Sequence, residues 1–150
     1  MTELHYSSSM NIFCHKLLIH KDIIKLMKLP IARKEAIFYE DKYVYACLAN
    51  FPIVNGHSIV VWKNKASDLH LLSRKEYEHL MDIVDITRNA LLKAFKIKKV
   101  YLLYMDEVNQ VHWHLIPRYN EKGYNVFKHQ PKKIQDFSLA KKIKDSINKL

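Results

Sequence analysis

The sequence predicts an α+β domain: an antiparallel sheet of about five strands, one long central helix, and flanking N- and C-terminal helices. Three observations predict it. Five short runs rich in β-branched and aromatic residues are bounded by turn signals. They come as three runs, then a long helical pattern, then two more, which favours antiparallel pairing over alternating β-α units. And 150 residues, 49% hydrophobic, are enough for one core with no composition break, so 1–150 reads as a single domain.

The elements follow in order. MTELHYSSSM lacks an apolar signal region and reads as a loose tail over 1–10. KLLIHKDIIKLMK (16–28) places Leu17, Ile23, Ile24 and Met27 at helical spacing and stops before Pro30. AIFY (36–39) and YVYACL (43–48) flank Glu40–Asp41–Lys42 and predict a hairpin. HSIVVW (57–62), after the Asn55–Gly56 turn signal, is a third strand. Ser73 and Glu76 form a capping box, in which hydroxyl and carboxylate satisfy backbone donors at a helix start. Tyr77, Leu80, Met81, Val84, Leu91, Leu92 and Phe95 then mark the stripe of a helix over 74–95. KVYLLYM (99–105) and QVHWHLIP (110–117) are the last two strands. A lysine-rich helix over 138–148, capped by Ser138, closes the series.

The formal charge of +10 is uneven. Residues 11–34 and 121–150 each carry a net +5, and the remainder sums to zero. Such terminal fields attract anions, but a lysine-rich helix face is ordinarily a solvated one, so nucleic-acid binding is not favoured. No run of apolar residues is long enough to span a membrane. Cys14 and Cys47 make no disulfide framework, which with the missing signal region points to reduced thiols in the cytoplasm.

The chemistry gathers in QVHWHLIPR (110–118). On a strand, side chains alternate, so Val111, Trp113 and Leu115 face the core while Gln110, His112 and His114 face the other way, roughly 7 Å apart. Two imidazoles so placed can ligate a metal, decorate a solvated sheet, or serve as nucleophile and donor. Zn²⁺ would need more ligands than the neighbourhood supplies. Neutral imidazole suits phosphorus because it is nucleophilic near pH 7 and leaves well afterwards.

QVHWHLIPRY resembles the histidine-triad (HIT) signature, His-x-His-x-His followed by apolar residues and Pro-Arg, with Gln110 where the first histidine belongs. FPIVNGHSIVVWK (51–63) is similar to the same family's Pro-x-x-Pro-Gly-His-x-Leu-Val-x-Pro-Lys stretch through Pro52, Gly56, His57, Val60, Val61 and Lys63. The resemblance covers about 36–137. It implies a HIT-like fold, a homodimer formed through the long helix and a sheet edge, and a nucleotide substrate. The middle histidine, here His112, would attack the α-phosphate, its other nitrogen held by a backbone carbonyl. His114 would hydrogen-bond the phosphate or leaving group, and His57 would line the same pocket.

Three departures matter. Some members bind a structural zinc through a Cys-x-x-Cys, a later histidine and the first triad histidine. The corresponding residues here are Asn11 with Cys14, Lys65 and Gln110, so the resemblance implies no structural zinc. The loop before the triad shrinks to DEVN (106–109): Asp106 and Glu107 repel phosphate unless a Mg²⁺ bridges them, and Asn109 is left as a donor. Ala49 replaces the residue that usually holds the ribose, with Asn50 beside it as a substitute. The expected substrate-binding set is therefore His57, Asn50, Gln110 and Asn109, beside catalytic His112 and His114. The expected function is a nucleotidyl hydrolase or transferase that cleaves a phosphoanhydride or phosphoramidate of an adenine nucleotide. The alternative is a nucleotide-binding or partner-docking module with weak turnover.

Overall fold

The computed structural model describes residues 29–104 and 108–150. The helix expected over 16–28, Cys14 and Asn11, and the acidic pair Asp106–Glu107 lie outside them.

Five strands form one sheet: β1 (Ile37–Glu40), β2 (Val44–Leu48), β3 (Ser58–Trp62), β4 (Lys99–Tyr104) and β5 (His112–Arg118). Their spatial order is β1-β2-β3-β5-β4, and every neighbouring pair is antiparallel. Helix α1 (Arg74–Phe95) follows β3, and α2 (Ser138–Ile147) follows β5. This is the α+β architecture expected from the order of the runs.

Paired residues share a face of the sheet. The face bearing Val44, Ala46, Leu48, Val60, Trp62 and Leu115 joins Leu80, Val84 and Leu91 of α1 and Ile143 of α2 in the main core. Burying each such leucine or isoleucine contributes about 1.5–3 kcal/mol. The opposite face presents Tyr45–Val61–His112 as one row and Cys47–Ile59–His114 as the next. Its far end is covered by a 3₁₀ turn, Gly123–Lys128, where Val126 packs with Ile53 and Ile116.

Local chemistry explains most element boundaries. In the β1–β2 turn the Asp41 carboxylate accepts from the Tyr43 and Val44 N–H groups, each at 2.7 Å. Tyr39 Oη and His79 Nε2 reach its other oxygen at 2.8 Å, so α1 clasps the turn. Burial pushes the Asp41 carboxyl up, but these hydrogen bonds outweigh it and hold the pKa at about 2. The capping box forms as expected: Ser73 Oγ accepts from Glu76 N, and Glu76 Oε2 accepts from Ser73 N.

Three expectations shift. Ser138 does not cap α2; it is the first helical residue after Phe137, and the Asp136 carboxylate accepts from its N–H. The buried stripe of α1 keeps Leu80, Val84 and Leu91 and adds Ile83, Thr87, Ala90 and Ala94, while Tyr77 is exposed. Strand β5 begins at His112, since Asn109 adopts φ +50 and Gln110 still belongs to the turn. His79, which no sequence pattern marks, is the Asp41 clasp.

Candidate active site

Three histidines meet on the sheet face away from the helices. β5 contributes His112 and His114 at alternate positions, and their ring centroids stand 5.1 Å apart. His57 enters from the turn before β3. Gly56 makes that turn possible: it sits at φ +78, and a Cβ there would lie 2.4 Å from the Phe95 ring. His57 N donates to Val54 O, and Ala49 N donates to His57 O, which fixes the backbone on both sides.

The hydrogen bonds set the tautomers. Ile53 N donates to His57 Nδ1 at 3.3 Å, so the His57 proton sits on Nε2. That nitrogen faces His114 Nδ1 at 3.0 Å and donates to it, which puts the His114 proton on Nε2. His112 Nδ1 donates to the Gln110 carbonyl at 2.7 Å, so the lone pair of its ring is on Nε2. The backbone acceptor expected for His112 is therefore supplied by Gln110.

Burial keeps the neighbouring rings neutral. It lowers the pKa of His57 to about 4. His114 is driven well below its ordinary value by burial first, then by His57 and His112. His57 and His112 are 5% and 3% exposed, which means a reacting phosphate would meet them stripped of bulk water. In these tautomers the cluster presents a ring lone pair on His112 Nε2 and an N–H donor on His114 Nε2.

The remaining expected residues are placed differently. The Gln110 side chain donates through Nε2 to Trp62 O, so its amide belongs to the sheet end while its carbonyl serves His112. Asn50 Nδ2 donates to Ile31 O, and Asn50 O accepts from Ile134 N, tying two distant segments together. Asn109 is exposed. Lys65 is exposed. Among the described residues no three histidine, cysteine or carboxylate side chains are arranged to hold a metal ion.

At the Gln110 end of the sheet a cavity of 340 Å³ opens, walled by Ile37, Tyr45 and Gln110, with Lys63 paired to Glu40 at 2.7 Å. Nothing in residue type marks Ile53, whose N–H orients His57, because a backbone donor leaves no trace in side-chain identity. Tyr45 and Lys63 could have been found from the alternation of β2 and β3.

This sheet, with its histidines on one open face, is the arrangement of a histidine-triad protein. Residues 32–121 match the HIT domain, and the chain belongs to that family. Over 90 residues it is 34% identical to the adenosine 5′-monophosphoramidase of Saccharomyces cerevisiae, covering 56% of this chain. The match spans about half (54%) of that relative's length. A hypothetical histidine triad nucleotide-binding protein from Sulfolobus tokodaii superposes with a TM-score of 0.65 at 23% identity, covering 93% of each chain. The Plasmodium falciparum diadenosine triphosphate hydrolase superposes with a TM-score of 0.62 at 21% identity, over 78% of this chain and 79% of that one. These two likenesses are of fold.

Proposed function

We propose that the protein is a nucleotidyl hydrolase acting at the α-phosphate of an adenine nucleotide, with His112 as nucleophile. The observation that carries this is the 2.7 Å bond from His112 Nδ1 to Gln110 O, which puts the lone pair on Nε2. That lone pair attacks phosphorus. The bond from phosphorus to the leaving oxygen or nitrogen breaks, its electrons go to the leaving atom, and solvent protonates that atom. His114 Nε2–H hydrogen-bonds the leaving side and offsets the charge that grows there. His57 keeps His114 in the donating tautomer through their 3.0 Å contact. Water then attacks phosphorus, the N–P bond returns its electrons to Nε2, and AMP departs.

The names of two similar proteins support the substrate class: one is an adenosine 5′-monophosphoramidase, the other a diadenosine triphosphate hydrolase. No step calls for zinc, and Lys65 and Gln110 do not suit it. The test is AMP release from adenosine 5′-phosphoramidate and from diadenosine tetraphosphate. The expected result is release by the wild type, including after a zinc-selective chelator, and a loss of at least about 10³-fold in His112→Ala. Equal release from His112→Ala would sink the nucleophile assignment. AMP binding without turnover would favour a docking module.

A further inference from the structure

The chain leaves the regular ladder just before β5, and the departure centres on Gln110. Val61 pairs with His112, so Trp62 and Val111 make the next rung between β3 and β5. In a hydrogen-bonded antiparallel rung each residue donates to the other. Here only one of the two bonds forms. Trp62 N donates to Val111 O at 3.0 Å, whereas Val111 N turns aside and donates to Ala66 O at 2.9 Å. Trp62 O has therefore lost its ladder donor, and Gln110 Nε2 stands in that donor's place at 3.1 Å. Trp62 and Val111 are buried, so a carbonyl left unpaired between them costs more than one in water.

The diversion decides where the Gln110 carbonyl points. Gln110 C=O and Val111 N–H belong to one planar trans peptide and point to opposite sides of it. With the N–H on Ala66 O, the C=O faces the other way, and there it accepts from His112 Nδ1 at 2.7 Å. Asn109, at φ +50, brings the chain into this peptide from a turn rather than from a strand. A regular rung would swing the same peptide until its N–H met Trp62 O, and would carry the carbonyl off His112. Two acceptors, Trp62 O and Ala66 O, thus compete for one N–H. The Gln110 amide ends the competition by satisfying Trp62 O itself. A side chain without a donor leaves Trp62 O to draw the Val111 N–H back.

We infer that Gln110 is a positioning residue: its side-chain amide replaces the diverted Val111 N–H at Trp62 O, and so keeps the Gln110 carbonyl on His112 Nδ1 and the ring lone pair on Nε2. The use of that tautomer in catalysis rests on the function proposed above, whereas the tautomer itself is measured without substrate. The test is ¹⁵N NMR of the histidine rings, above the ordinary histidine pKa, in wild type, Gln110→Met and Gln110→Lys. Gln110→Met keeps the length of the side chain without a donor, and Gln110→Lys restores one. Wild type and Gln110→Lys should show His112 with its proton on Nδ1 alone, and Gln110→Met a mixture of both tautomers. In the wild type, which needs no variant to fold, the Gln110 Nε2 protons should exchange with solvent more slowly than those of a free glutamine. In turnover of adenosine 5′-phosphoramidate, Gln110→Met should lower kcat about 10-fold and leave KM within about twofold, the scale of loss when the partner orienting a metal-bound imidazole is removed. If the wild type releases no AMP while the tautomers follow this pattern, the proposed function fails and the positioning role stands. A single Nδ1–H tautomer in Gln110→Met, the same mixture in Gln110→Met and Gln110→Lys, or Gln110 amide protons exchanging at the free rate overturns it.

Discussion

His57 is buried with its Nδ1 accepting from Ile53 N and its Nε2 pointing at His114, so a proton added to it has no place to be solvated. Its pKa falls from 6.5 to about 4, and that of His114 falls in the same direction. In the unfolded chain both rings regain the ordinary value. As pH drops below 6.5 the unfolded state binds protons that the folded state refuses, so stability is full above that value and is lost toward pH 4. For His57 the full loss amounts to roughly 3 kcal/mol. The unfolding midpoint in urea should be flat from pH 7 to 8 and should fall between pH 6.5 and 4.5, with a shallower fall in His57→Gln. Identical slopes for wild type and His57→Gln would remove His57 from this account. Alternation along β5 made it readable from sequence that His112 and His114 share a face. The meeting of His57 with His114 was not readable to the atom. It depends on the register that sets Ile59 against His114 across strands far apart in sequence.

At the scale of elements, the turn between β2 and β3 governs the site. Gly56 takes a left-handed φ and lets the Phe95 ring at the end of α1 close over it. Ser58 Oγ donates to Gly56 O at 2.8 Å and locks the turn into β3. A methyl at Gly56 would strain the backbone and push on Phe95, costing about 1–3 kcal/mol. Gly56→Ala should therefore lower the unfolding midpoint and, by tilting His57, reduce turnover more than it reduces AMP binding. Unchanged stability in Gly56→Ala would contradict the packing described. Helix α1 was readable almost to the residue, since Ser73 and Glu76 announce its start and no breaker interrupts it. The start of α2 was not: Ser138 is a good capping residue but stands inside the helix after Phe137, and the Asp136 carboxylate accepts from its N–H. The strand start at His112 was missed because an asparagine at φ +50 carries the turn without glycine.

Across the whole molecule, one sheet separates two tasks. The helix-covered face holds Val60, Trp62, Leu115 and their neighbours in a dry core, and so keeps β3 and β5 in register. The other face uses that register to bring together two histidines of β5 and one from the turn before β3, with a cavity at the Gln110 end and aromatic rings beyond the opposite end. The fold class followed from the order of strand and helix patterns, which are local signals. That aromatic group, Tyr101 with Tyr124 and Phe127, escaped notice because it joins β4 to a 3₁₀ turn about twenty positions later, a contact that no periodicity encodes. The central claim is that His112 becomes covalently linked to the nucleotide. Its most direct test is mass spectrometry of protein quenched within one turnover of diadenosine tetraphosphate. An adenylyl group on the peptide containing His112, absent from His112→Ala, is the predicted result. AMP release with no adduct at any time point, or an adduct on another residue, would contradict it.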